Sequence, residues 1–214
     1  MRDIARAGEG GILARMTAER TALQLMSVED YLEWEETQEQ KHEYVGGMVY
    51  AMEAMAGGTI DHAAIAANSL IALGACLRRK PCRPFGSDLK VRIEYPTHTR
   101  FYYPDVTVVC EMGPGQARYH DQPVVIVEVA SESTRRIDEL EKKDAYLSIP
   151  SLCAYIQMEQ DAAVAVVWRR GEAGFVREIY EGLDAVISLP EIGAQLPMNE
   201  AYEAVNFTTP KVAE

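Results

Sequence analysis

The run "PVVIVEVAS" (123–131) constrains the fold more tightly than any other stretch. In an extended strand Val124, Ile126, Glu128 and Ala130 share one face, and Val125, Val127 and Val129 share the other. A strand this continuously apolar is covered on both sides, which predicts the centre of a helix-flanked sheet. Glu128 then occupies a slot that the pattern would fill with valine. An unpaired carboxylate there costs on the order of several kcal/mol, so it is neutral, paired with a protein partner such as an Arg or Tyr, or bound to a metal.

A second acid sits in a similar place. In "FYYPDVTVVC" (101–110), Asp105 follows Pro104 at the head of an apolar run, and proline is tolerated at the first residue of a strand. A Pro-Asp pair alone means little, because an Asp there also caps turns. Here a loop, "EMGPGQARYHDQ", leads from it straight into the strand carrying Glu128. Acids from adjacent strands can meet over one hard cation, and magnesium commonly binds through one or two carboxylates plus a substrate phosphate.

The rest of the chain predicts one α/β domain from residue 26 to 214, preceded by an N-terminal arm, 1–25, that need not be ordered. Ser27 with Asp30 three residues on marks a helix start at "MSVEDYLEWEETQ". "HEYVGGMVYAME" reads as strand, turn at Gly46-Gly47, strand. "TIDHAAIAANSLIALGACLRRK" is the strongest helix, with Ile65, Leu70, Leu73 and Leu77 as its apolar face, Arg78, Arg79 and Lys80 at its negative end, and Pro81 as its stop. "CRPFGSDLKVRIEY" and "FYYPDVTVVC" each look like one strand. A helix is expected over 133–148, capped by Ser133 or Thr134. The strands "LCAYIQME", "AAVAVVWRR", "GFVREIYE" and "AVISL" follow as a C-terminal meander, and "NEAYEAV" closes the chain with a helical turn.

Composition excludes some classes. The formal net charge is −12, which opposes broad electrostatic adhesion to nucleic acid. The longest uncharged apolar stretch, 63–77, is shorter than the ~20 residues a membrane-spanning helix needs, and no secretory signal is legible. The four cysteines form no CxxC pair and suggest no disulfide framework. A reducing cytoplasm is therefore the expected compartment, and a structural zinc site is not expected.

Taken in order, "MSVEDYLEWEE", "KHEYVGGMVYAM", "DHAAIAANSLIAL", "FGSDLKV", "YYPDVTVV", "IVEVASESTRRIDELEKKDAY" and "IPSLCAYI" resemble the Uma-two family of predicted bacterial endonucleases. The resemblance runs over about residues 26 to 205. That family lies within the PD-(D/E)xK nuclease superfamily. It implies a restriction-endonuclease-like mixed sheet flanked by helices, with Asp105 and Glu128 as the acids of the site. The superfamily pattern has a lysine two residues after the second acid, and here Ala130 stands there. In the Uma-two family the lysine sits on the following helix. The helical wheel leaves Lys142 and Lys143 open, and the family spacing from Asp138 to Tyr146 selects Lys142. Without the resemblance, Asp138 and Lys142 make an ordinary i,i+4 surface pair worth a few tenths of a kcal/mol, roughly.

Further residues follow from the same resemblance. Glu43 matches an extra metal or adjoining acid, though a strand-end Glu is equally ordinary. Asp88 is more simply a turn residue. His62 can face the site from its helix, although a lone helical histidine is usually structural. The arginines of "STRRID" suit phosphate or the sheet edge. The implied activity is hydrolysis of DNA with Mg2+, or Mn2+ as substitute, leaving a 5′-phosphate and a 3′-hydroxyl. Cleavage of a duplex by one small domain favours a homodimer, for which "AAVAVVW" and "FVREIY" can supply an interface or simply core. The competing expectation is a catalytically degenerate nuclease fold that binds nucleic acid or protein. A hydrolase built on His62 or Cys153 has no supporting nucleophile-elbow or Cys/His signature.

Overall fold

The computed structural model describes residues 22–52, 59–130 and 138–207. Strand β1 (Ala22–Leu25) leads into helix α1 (Val28–Glu35), where the Ser27 hydroxyl accepts a hydrogen bond from the Asp30 N–H at 3.1 Å. That is the cap expected from sequence. Strands β2 (His42–Val45) and β3 (Met48–Ala51) form a hairpin over Gly46 and Gly47, both at positive φ, a conformation glycine adopts without steric cost.

Helix α2 (Ile60–Cys76) buries Ile65, Ser69, Ala72 and Leu73. It ends earlier than Pro81 suggested. Arg79 takes a positive φ of 64°, so Arg78, Arg79 and Lys80 lie beyond the helix and not in its last turn.

Two segments that each read as one strand are divided. "CRPFGSDLKVRIEY" becomes β4 (Arg83–Gly86) and β5 (Lys90–Glu94), and "TRFYYPDVTVVC" becomes β6 (Thr99–Tyr102) and β7 (Val106–Val109). In each case the two halves join different sheets. Pattern alone could not show this, because alternation continues through the bend. The loop expected after β7 holds the short strand β8 (Tyr119–His120), and β9 (Pro123–Val129) follows. Then come α3 (Asp138–Leu147), β10 (Ala154–Met158), β11 (Val164–Gly171), β12 (Gly174–Glu181), β13 (Val186–Leu189), β14 (Ala194–Pro197) and α4 (Met198–Ala201). The expected caps Ser133 and Thr134, and the arginines of "STRRID", lie outside the described residues.

One six-stranded sheet has the order β1-β3-β2-β6-β5-β8, and a second has the order β12-β11-β10-β9-β7-β4. Both are mixed, since β5 pairs with β8 and β9 with β10 in parallel. The chain crosses from one sheet to the other at Tyr103-Pro104-Asp105. The β10-β11-β12 ribbon is the expected meander, but β13, expected to continue it, instead pairs with β14 in a separate two-stranded sheet. On one face of the second sheet, Val106, Val125, Val127 and Ile156 pack beneath α2 and α4. On the other, Ile126, Tyr155 and Trp168 pack with Ala145 and Tyr146 of α3. β9 is thus the doubly covered strand its sequence predicts.

The cysteines depart from expectation. Cys82 and Cys110, 28 residues apart, form a disulfide. Antiparallel pairing of β4 with β7 sets Arg83 opposite Val109, so the flanking residues meet across the ladder. No spacing rule reveals such a long-range pair. Cys76 and Cys153 are free thiols.

Candidate active site

Asp105 ends the crossing segment just before β7, and β7 runs antiparallel to β9 with Val106 opposite Val127. This register carries Asp105 to the end of β9 that holds Glu128. One Asp105 carboxylate oxygen accepts the backbone N–H of Val129 at 2.8 Å, and the other lies 3.1 Å from His62 Nε2. The two carboxyls are near enough to interact electrostatically. Tyr146, fully buried on α3, donates its hydroxyl to Glu128 at 2.9 Å. Burial, and then the neighbouring Asp105, push the Glu128 carboxyl well above the ordinary carboxylate range. Asp105 in turn raises His62 through their hydrogen bond. Among the described residues the buried His62 Nδ1 has no hydrogen-bond partner.

Lys142 and Lys143 part company on α3. Lys142 reaches Glu43 of β2 at 2.6 Å, lies 5.6 Å from the centre of the Tyr102 ring, and is close enough to Glu128 to favour its ionised form. Lys143 sits over the Trp168 ring and pairs with Asp144 at 3.5 Å. Glu43 is completely buried, and among the described residues Lys142 is the cation paired with it. Asp88 is an exposed turn residue 3.2 Å from Lys41. Ala130, at the superfamily's usual lysine position, is buried and donates its N–H to the Met158 carbonyl. The Asp138 side chain lies outside the described residues.

Asp105, Glu128, Lys142 and Glu43 therefore gather where β2, the head of β7, the end of β9 and α3 meet. Glu43 is engaged by Lys142, and among the described residues no three His, Cys, Asp or Glu side chains cluster tightly enough to form a metal cage. The donor set suits a hard divalent ion nonetheless. Two neighbouring carboxyls, one of them resisting ionisation, repel each other less once a cation sits between them. Each Asp105 oxygen keeps a lone pair beyond its present hydrogen bond.

Sequence reasoning undervalued three contributors. His62 was readable only as a histidine able to face the site. Tyr146 served to fix a spacing and not as a partner of Glu128. The Val129 N–H carries no residue-level signal at all.

Comparison with known proteins agrees with this architecture. A crystal structure from Anabaena variabilis ATCC 29413, described as a putative nuclease belonging to DUF820, superposes with a TM-score of 0.57 at 16% identity, covering 77% of this chain and 91% of that one. Uncharacterized protein slr1290 of Synechocystis is 30% identical over 185 residues, which span 85% of this chain and 94% of that protein. A second Synechocystis protein, sll1609, is 26% identical over 143 residues, 64% of this chain and 76% of its own length. The family model for Uma2, "Putative restriction endonuclease", matches residues 28–199, from the first residue of α1 through Asn199 of α4. That span holds both acids, Lys142 and Glu43, and the chain belongs to the Uma2 family.

Proposed function

We propose that this protein is a magnesium-dependent endonuclease that hydrolyses DNA phosphodiesters; the Cys82–Cys110 disulfide removes the ground on which a reducing cytoplasm was expected. The observation that carries the reading is the paired Asp105 and Glu128 at the β7/β9 junction, with Lys142 alongside. Asp105 and Glu128 would hold the ion, with manganese as a substitute and Glu43 as an adjoining acid. A bound divalent ion supplies Lewis-acid polarisation of the phosphate and a lower pKa for its water.

The remaining work belongs to the chain itself. The Val129 N–H and His62 fix one carboxylate and Tyr146 the other, so neither has to reorganise as charge develops. Lys142 offers N–H donors beside these acids, either to position the attacking water or to stabilise the pentacovalent phosphorane. For this it must exchange part of its contact with Glu43 for substrate.

A degenerate fold that binds without cutting is the second reading. It is favoured by the tight Lys142–Glu43 pair, by Ala130 in the in-line lysine position and by the net charge of −12. Manganese titration followed by calorimetry, with plasmid cleavage in parallel, separates the two. A nuclease binds the ion, cuts, and stops on chelation. A protein that binds no manganese and leaves every nucleic acid intact is the degenerate form.

A further inference from the structure

Strand β12 closes one end of the second sheet and β4 the other. The two edges differ. β4 has four residues, including Pro84, and a short edge strand with a proline resists further pairing. β12 has eight residues, "GFVREIYE", with no proline and no lysine. Val176 and Ile179 are 59% and 50% exposed, and Leu183 just beyond the strand is 46% exposed. Long edges that expose apolar side chains in this way are templates for another strand.

The backbone sets how a partner can dock. Gly182 donates its N–H to the Ala163 carbonyl, and Glu181 lies opposite Val164. Ladder alternation then turns the even-numbered residues of β12 toward β11 and the odd-numbered N–H and C=O groups outward. Two copies pairing antiparallel about a two-fold axis must set odd residues against odd residues. Centring the axis on Arg177 or on Glu178 opposes like charges, and centring it on Tyr180 sets Ile179 against Glu181. Centring it on Ile179 makes the strand its own complement. Ile179 meets Ile179 of the second copy, Arg177 meets Glu181, and Phe175 comes alongside Leu183.

We propose that β12 is a self-complementary edge through which two copies of this chain pair antiparallel about Ile179, joining their second sheets into one continuous sheet. The pairing adds about six backbone hydrogen bonds, two interchain Arg177–Glu181 pairs and an apolar centre. Ile179, Val166, Gln157 and Glu128 lie in one cross-strand row, so each copy carries Glu128 on the same sheet face as the interface side chains. The two Glu128 positions are separated by about seven strand spacings, ~34 Å along the sheet. The interface therefore adds no group to either site. This inference stands apart from the nuclease reading and is tested without activity.

Light scattering on the full chain, from low to high micromolar concentration, reads it directly. The scattering mass should rise to twice that of one chain. Ile179→Arg should hold it at one chain, with an unchanged circular dichroism spectrum because the side chain is half exposed. Arg177→Glu and Glu181→Arg should each restore the monomer, and the double variant should regain the dimer by reversing both pairs. A wild type that stays monomeric at high concentration overturns the proposal. So does a dimer indifferent to Ile179→Arg, or a double variant no better than the singles.

Discussion

At the residue scale the site turns on charge, and substitutions that keep shape separate its parts. Asp105→Asn retains the volume of the side chain and loses its charge, so manganese affinity and cleavage should both disappear in the calorimetric and plasmid assays while the melting temperature holds. Lys142→Ala should leave ion binding nearly unchanged and lower the turnover by about 10²-fold or more, the range for a group acting on a proton or on developing charge. Lys143→Ala, removing a side chain that lies over Trp168, should cut at the parent rate.

Glu128 adds a pH signature. Its folded-state pKa is raised from 4.5 to about 8 by burial and by Asp105. A raised carboxyl binds its proton more tightly folded than unfolded, so its contribution to stability is complete below the ordinary carboxylate value. That contribution is lost as pH climbs through about 8. Thermal melts of the metal-free protein should therefore decline from pH 5 to pH 9, roughly the window of the shift. Glu128→Gln should flatten that decline, and a decline of equal size in the variant would assign it elsewhere.

At the element scale, a second buried polar cluster ties α1 to the first sheet and to the segment that crosses to the second. Glu35, at the end of α1, accepts the His42 backbone N–H and the Tyr103 hydroxyl, each at 2.8 Å, and lies 3.0 Å from His42 Nδ1. Lys90 of β5, also buried, donates to the Tyr103 hydroxyl at 3.1 Å. Burial lowers the Lys90 pKa, and the Glu35 charge opposes that fall. Tyr103 begins the segment that crosses between sheets and ends at Asp105, so this cluster anchors the approach to the site. Glu35→Ala leaves the His42 N–H and the Tyr103 hydroxyl without their acceptor and should cost about 1–3 kcal/mol for each buried group left unsatisfied. Urea denaturation measures the loss. A change within ~0.5 kcal/mol, typical of surface positions, would show that Glu35 is not the partner holding the cluster together.

At the scale of the whole molecule, the net charge of −12 governs how a polyanion is met. Affinity for DNA that came from a broad basic footprint would fall steeply with salt, each neutralised phosphate contributing a slope of about −0.9. This chain has 33 acids against 21 lysines and arginines. Binding in the presence of divalent ion should therefore show a shallow slope, roughly two to three phosphate contacts' worth. Fluorescence anisotropy across a salt series checks this, and a steep slope would reveal a basic surface that the composition conceals. Among the described residues no helix is long and apolar enough to cross a membrane.

The alternation in "PVVIVEVAS" was enough to make β9 a doubly covered strand and Glu128 its anomaly. Ser27, Gly46-Gly47 and the apolar stripe of α2 were equally legible, because caps, positive-φ turns and helical periodicity are local and leave local marks. The choice between Lys142 and Lys143 was not local. Both lie on α3, and only packing turned one toward Glu43 and the other toward Trp168. The division of two apparent strands between sheets, the Cys82–Cys110 bond and the contact of His62 with Asp105 share that character. Each joins residues far apart in the chain whose meeting depends on strand register and sheet order. Sequence periodicity shows which face a residue occupies; only the closed fold shows what lies across from it.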